Sequence, residues 1–101
     1  MIIYNVSVKP ELSIAVDWLE WLKSEHIPDV LGTGCFIKAV ILQMMDTDEA
    51  EGPTYAIQYF AENKEDVDRY LTQYAPEMRA RGTSRWGNRF IAFRTIMKVI
   101  N

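Results

Sequence analysis

The sequence predicts an α+β fold in which two helices cover one face of a four-stranded antiparallel sheet. The first observation is the order of its apolar patterns, which alternates between strand and helix periods as βαββαβ. The second is that the second and fourth strand segments are apolar on both faces. The third is size, because 101 residues, 49% hydrophobic and 25% charged, correspond to one globular domain at 1–101.

The first strand and the first helix show two different periods. Residues 2–9 alternate between the two faces of an extended chain, which indicates a strand. The segment after it carries apolar side chains at helical spacing, namely Ile14, Trp18, Trp21 and Leu22. Pro28 disfavours helical geometry at Ile27, so we expect this helix to end near His26.

The second half of the chain repeats the pattern. The remaining strands are predicted at 35–45, 54–60 and 89–100. Asn63 is suited to cap the second helix, Pro76 is expected to interrupt it and Gly82 to end it. With both helices on one face of the sheet, this order is the split-βαβ or ferredoxin-like arrangement.

The face of the sheet away from the helices predicts self-association. In a monomer that face should be polar. The segments 35–45 and 89–100 instead carry apolar side chains on both faces. A second copy of the chain is the simplest cover, so we expect a homodimer that pairs through its open sheet faces.

The net charge and the cysteine content indicate which kinds of binding partner and which cellular compartment to expect. The net charge of -3 disfavours a nucleic-acid binder, which is usually basic. The single cysteine, Cys35, cannot form an internal disulfide and fits a reducing compartment. The N-terminus has no signal-peptide pattern, and no apolar run reaches membrane-spanning length. We therefore expect a cytoplasmic protein that binds neither nucleic acid nor membranes.

Several segments of the chain also carry a family resemblance. They are MIIYNV at 1–6, HIP at 26–28, GCF at 34–36, YAIQYF at 55–60 and RFIAFRT at 89–95, with Trp18 and Trp21. Together they resemble the bacterial domain-of-unknown-function family 4286, over nearly the whole chain. The resemblance implies the dimeric α+β barrel superfamily, in which two ferredoxin-like sheets pack face to face. It implies no activity, since that family has none assigned.

Relatives elsewhere in that superfamily suggest chemistry. They include monooxygenases that oxidise quinones or polyketides without a cofactor, polyketide cyclases, EthD-like proteins and muconolactone isomerases. EthD-like members often carry a histidine near a proline after the first helix, similar to His26 and Pro28. Haem-degrading members use a first-strand asparagine, similar to Asn5, and an axial histidine on the second helix, where this chain has Tyr70 and Tyr74. We therefore expect neither haem nor another cofactor.

His26 is the candidate catalytic residue. An imidazole has an ordinary pKa near neutral pH and can act as a general acid or base. The alternative is a structural role at a helix C-terminus, where a partly cationic imidazole is favourable. On a regular helix Glu25 would lie beside Trp18 and Trp21. Its carboxylate would then be desolvated and could contact a ligand. If the helix frays, Glu25 instead reaches water or an arginine.

Ligand contacts are predicted at Asn5, Trp18, Glu25 and Arg94. Asn5, on a central strand, can orient a substrate oxygen in a cavity or pair with its neighbours and Arg94 across the sheet. Arg94 lies mid-strand and should therefore point into a cavity or an interface. Trp18 belongs to a set of aromatic residues that mostly build the core. One histidine and one cysteine cannot form a closed metal site, so we expect none.

Five arginines fall between the second helix and the last strand. They are Arg79, Arg81, Arg85, Arg89 and Arg94. They can bind an anion, or they can be solvated or paired with the acidic loop at 46–52 across a dimer.

Two functions follow from these patterns. The first is binding of a small apolar or anionic molecule between helices and sheet. The alternative is a cofactor-independent monooxygenase, cyclase or isomerase, in which His26 moves a proton and Asn5 or Arg94 stabilises an oxyanion.

Overall fold

Four antiparallel strands form the sheet. The computed structural model of the chain describes residues 1–48 and 50–101. The strands are β1 (Ile2–Pro10), β2 (Lys38–Gln43), β3 (Tyr55–Ala61) and β4 (Phe90–Lys98). Their order is β2-β3-β1-β4, and each neighbouring pair is antiparallel. The sheet therefore ends in β2 on one side and in β4 on the other.

Two helical stretches pack on one face of this sheet. The first contains a 3-10 turn (Leu12–Ile14), α1 (Ala15–Trp21), a π turn (Leu22–His26) and α2 (Ile27–Leu31). The second contains α3 (Lys64–Gln73) and α4 (Ala75–Trp86). The order of elements confirms the predicted α+β, ferredoxin-like fold. Among the helices described in 1–48 and 50–101, none has the length and apolarity needed to cross a bilayer.

The first helical stretch does not end near His26, so that prediction is wrong. The Ile27 N–H donates to the Leu22 carbonyl five residues back, which is the hydrogen bond of a π turn. Pro28 then lies in the first turn of α2, where its missing N–H is not needed. The helical backbone therefore continues past Pro28 to Leu31.

The second helical stretch is broken where Pro76 predicts it and continues past Gly82. The Asp66 N–H donates to Asn63 Oδ1 at 3.0 Å, which confirms the predicted cap. Gly82 is buried inside α4, so its prediction as the helix end is wrong. The helix ends instead at Trp86 and is followed by Gly87, whose φ of 64° suits a residue without a Cβ.

An aromatic cluster joins the helices to the sheet. The ring centroid of Tyr4 on β1 lies 6.2 Å from that of Tyr59 on β3 and 5.6 Å from that of Tyr70 on α3. Phe36 lies 5.3 Å from Tyr59 and 5.0 Å from Tyr70. All four side chains are buried, so this cluster fixes one end of the space between helices and sheet.

The second strand is shorter than the predicted 35–45. Cys35 and Phe36 are both buried in the core, and β2 begins only at Lys38. The strand pairing of β2 with β3 accordingly runs only from Lys38 to Gln43.

The face of the sheet opposite the helices is apolar at both edges. Phe93 of β4 lies opposite Ser7 of β1, on the side away from the helices, and 70% of it is exposed. Ile91 is 59% exposed on the same side. Val40 and Leu42 of β2 add exposed apolar surface at the other edge. We call this surface the open face.

Candidate ligand-binding site

A cavity of about 490 Å³ lies between the helices and the β1–β4 side of the sheet. Its lining comes from β1, β3, β4, the first helical stretch, α3, α4 and the turn between α4 and β4. The aliphatic, sulfur and phenyl groups in it are Val6, Val8, Leu22, Ile57, Met78, Phe90 and Ala92. A volume of this size falls within the range of about 300 to 1,000 Å³ typical of small-molecule sites.

Two tryptophans form the aromatic wall of the cavity. Trp18 lines it and also stacks on Tyr55, with ring centroids 5.9 Å apart and planes 20° from parallel. Trp21 lines it as well and meets the edge of Trp86 at 6.0 Å. Trp18 is therefore both a core residue and a surface that a flat ring can contact.

Gly82 gives this wall its shape. A Cβ at this position would lie 3.7 Å from Trp21 Cη2 and 3.9 Å from Phe90 Cζ. Because the glycine carries no side chain, α4 leaves open space beside both rings. Gly82 itself lines the cavity.

His26 also lines the cavity, in contact with Trp21. Its imidazole stacks on the Trp21 indole with centroids 4.8 Å apart and planes 24° from parallel. Burial lowers the pKa of His26 from its ordinary value of 6.5, and the charges of Arg81 and Arg94 lower it further, while Asp29 opposes them. The imidazole is therefore neutral at pH 7 and can accept a proton. The interpretation of His26 as a helix C-terminal cation is wrong, since the helix continues to Leu31.

Three tyrosines line the cavity. They are Tyr4, Tyr59 and Tyr70. Burial raises the pKa of Tyr59 and of Tyr70, so both stay protonated and can donate hydrogen bonds. The sequence patterns do not single these residues out; the available signal was the strand alternation that puts Tyr4 and Tyr59 on the same face.

Arginines occupy the exposed mouth of the cavity. Arg94 of β4 lies opposite Val6 of β1, and both line the cavity, as the mid-strand position of Arg94 predicts. Arg79 of α4 lines it too, and its Nη2 donates to the Tyr4 hydroxyl at 3.3 Å. Both arginines are exposed. In the sequence Arg79 is one of five arginines in this region, and helix spacing alone does not reveal which of them face the sheet.

Glu25 does not line the cavity. Its side chain is exposed and lies at a separate, shallower groove on the other side of Trp21 and His26. Asp29 and Arg81 line this outer groove with it. The desolvated position beside Trp18 is therefore not found, and Glu25 reaches solvent.

Asn5 lies on the opposite side of the sheet from the cavity. Its side chain donates to Ser7 Oγ at 3.0 Å, two residues along the same strand. Odd-numbered residues of β1 face away from the helices, since Tyr4 and Val8 fill the core. Among the predicted site residues, the structure brings together Trp18, His26 and Arg94 but not Asn5 or Glu25.

The other arginines are held by separate partners. Arg81 pairs with Asp29 at 3.0 Å and with Glu77 at 2.9 Å. Arg89 pairs with Glu11 at 3.1 Å. The arginines of this segment are therefore divided: Arg79 and Arg94 line the cavity, whereas Arg81 and Arg89 are held in ion pairs. Within residues 1–48 and 50–101, no group of three or more histidine, cysteine or acidic side chains is placed to hold a metal ion.

Comparison with solved structures supports the fold. SnoaB, a cofactor-independent oxygenase from Streptomyces nogalater, is 11% identical with a TM-score of 0.69, and the match covers 99% of this chain and 94% of the SnoaB chain. An ethyl tert-butyl ether d (ethd) family protein from Bacillus halodurans is 9% identical with a TM-score of 0.72, and the match covers 99% of this chain and 100% of that protein. A dimeric ferredoxin-like protein from an uncultured marine organism is 12% identical with a TM-score of 0.70, and the match covers 99% of this chain and 94% of that protein. At these identities the likeness establishes the ferredoxin-like fold alone.

Sequence comparison identifies the family. No curated protein matches the sequence. A family model described as a domain of unknown function, DUF4286, matches residues 1–100. The chain therefore belongs to the DUF4286 family.

Proposed function

We propose that the protein binds a small molecule with a flat apolar ring in the cavity between the helices and the sheet. The observation that carries this is the cavity itself, of about 490 Å³, with an aromatic wall and a few converging polar groups. Trp18 and Trp21 offer ring surfaces, and His26 offers a neutral nitrogen beside them.

Nuclear magnetic resonance with 2-naphthamide as the probe tests this binding. The indole N–H signals of Trp18 and Trp21 are expected to shift on titration. Gly82→Leu should abolish the shifts, because its side chain fills the space next to Trp21. Ser84→Leu is the matched control, since Ser84 lies on the same helix but lines the outer groove. Shifts that survive Gly82→Leu, or no shifts in the unmodified protein, would count against the cavity as the site.

We also propose that two chains pair through their open faces to form a dimeric α+β barrel. Exposed apolar side chains at both edges of that face support the pairing, Phe93 and Leu42 among them. A ferredoxin-like protein of the same fold is described as dimeric. Pairing of identical faces is the usual geometry of a twofold dimer.

A second candidate function is catalysis of proton transfer, as in a cofactor-independent monooxygenase, cyclase or isomerase. The favouring observation is the neutral imidazole of His26 in the cavity, with Arg94 available to stabilise a developing oxyanion. The fold is shared with SnoaB, itself a cofactor-independent oxygenase. Asn5 has no part in this proposal, since its side chain lies on the other face.

Hydrogen–deuterium exchange of 2-tetralone in heavy water tests the catalytic candidate. Removal of a proton next to its carbonyl is a step of the expected kind, and exchange is read directly from the proton spectrum. The protein should accelerate the exchange, and His26→Gln should abolish the acceleration while Ser84→Leu retains it. Exchange at the buffer rate, or an unchanged rate in the His26 variant, would remove His26 from the mechanism.

A further inference from the structure

Two arginines at the cavity mouth form no ion pair with any acidic residue in 1–48 or 50–101. Among the residues that the structure describes, ion pairs are made by Lys64, Arg69, Arg81 and Arg89. Arg79 and Arg94 make none. None of the described aspartates or glutamates lines the cavity either. Two positive charges therefore face the cavity without compensation, in a chain whose net charge is -3.

The field of these arginines reaches the interior of the cavity. Both guanidinium groups act to lower the pKa of Tyr70, against the larger effect of burial that raises it. Arg94 also acts on His26. The two side chains come from different elements, α4 and β4, yet both of their charges act on the same buried tyrosine, Tyr70. An anion entering this space would be stabilised by both.

Tyr4 supplies a neutral hydrogen-bond donor beside the two arginines. A guanidinium has no acceptor, so in its contact with Arg79 the Tyr4 oxygen accepts and its O–H remains free to donate. The Tyr4 ring is 3% exposed and is fixed between Phe36, Tyr59 and Tyr70. The hydroxyl oxygen is therefore held in place beside Arg79, and its hydrogen can rotate towards a bound acceptor.

We propose that Arg94, Arg79 and Tyr4 form an oxyanion subsite that binds the carboxylate of an aromatic acid. The inference rests on the proposed function, because the ring of the acid lies against the tryptophan wall of the same cavity. Planar guanidinium groups match the two oxygens of a carboxylate, and hydrogen bonds between charged groups are stronger than neutral ones. Because His26 is neutral, the negative charge of the ligand is balanced by the two arginines.

Calorimetric titration with 2-naphthoate and 2-naphthamide tests the subsite. Both probes contain a naphthalene ring. 2-Naphthoate carries a carboxylate at the position where 2-naphthamide carries a neutral amide. The unmodified protein should bind 2-naphthoate about 10- to 100-fold more tightly. Arg94→Gln and Arg79→Gln should each reduce this preference, and the double variant should abolish it. Affinity for 2-naphthamide should stay unchanged, which shows that the variants still fold around the cavity.

Arg85→Gln is the matched control for lost charge. Arg85 lies over the Trp86 ring, 4.7 Å from its centroid, and does not line the cavity. The preference for 2-naphthoate should persist in this variant. Arg94→Lys should retain part of the preference, since it keeps the charge and loses the planar donor pair.

The possible outcomes distinguish failure of the carboxylate subsite from failure of the cavity as a binding site. Equal affinity for the two probes, with both lost in Gly82→Leu, would overturn the subsite and leave cavity binding standing. A preference that survives the double arginine variant would also overturn it. Failure of both probes to bind would overturn the subsite and the proposed function together.

Discussion

Replacement of Phe93 by aspartate should convert the proposed homodimer into a folded monomer. Phe93 is 70% exposed in the single chain, so it contributes little to the core of its own domain. It lies on the open face, opposite Ser7 of the neighbouring strand. Any partner chain that covers this face must bury the ring.

The expected effect can be worked from that exposure. Full burial of a phenylalanine side chain is worth about 1.5–3 kcal/mol. With 70% of Phe93 still exposed, burial in a dimer yields about 1–2 kcal/mol per chain, and a twofold interface contains the residue twice. An unpaired carboxylate at the same place costs about 1–3 kcal/mol more per copy. The dimer should therefore lose at least about 4 kcal/mol, which raises Kd roughly a thousandfold.

Sedimentation equilibrium over a wide concentration series measures this change directly. Val16→Asp is the matched control, because Val16 is 83% exposed on α1, away from the open face, and undergoes the same chemical change. Urea unfolding of the Phe93→Asp protein should show a cooperative transition close to that of the control. An unchanged Kd in Phe93→Asp, or an unmodified protein that stays monomeric throughout, would refute the proposed pairing.

Three further substitutions test local features of the fold. The folded-state pKa of His26 lies below its ordinary 6.5, so the unfolded chain binds the proton more readily, and stability is lost as pH falls from about 6.5 towards the lowered pKa. His26→Gln should remove that part of the pH dependence of urea unfolding; an identical slope would contradict it. Gly82→Ala should stabilise by about 0.5–1 kcal/mol in urea unfolding, since its Cβ meets only ordinary contacts within a helix, and a lower midpoint would show that α4 needs the glycine. Asn63→Ala should cost about 0.5–2 kcal/mol by loss of the cap to the Asp66 N–H, whereas an unchanged unfolding midpoint would mean that water replaces it.

The order of elements was predictable because its signals are local. The alternation of β1, the cap at Asn63 and the break at Pro76 each depend on a few neighbouring residues. The same alternation puts the apolar residues of β1, Tyr4 among them, on the face that meets the helices. It does not show where a cavity lies, so Asn5 was expected to line one although its side chain pairs with Ser7 on the opposite face.

Gly82 illustrates the same limit on α4. A glycine near the end of an apolar helical pattern usually marks a helix end, and the local sequence gives no other reason for it. Its role depends on Phe90 of the following strand and above all on Trp21, which is distant in sequence and close in space. Pairwise proximity of this kind is tertiary information, so a local pattern predicts the helix but not the cavity beside it.

The position of His26 depends on one irregular turn. In a regular α-helix, residues five apart are rotated by about 140° and lie on different faces. Trp21 and His26 are five apart, yet their rings stack at 4.8 Å. The π turn at Leu22–His26 closes hydrogen bonds over five residues, so it brings such a pair onto one side of the helix. The feature that places the candidate base in the cavity is therefore the departure from regular helix that a period of 3.6 residues does not predict.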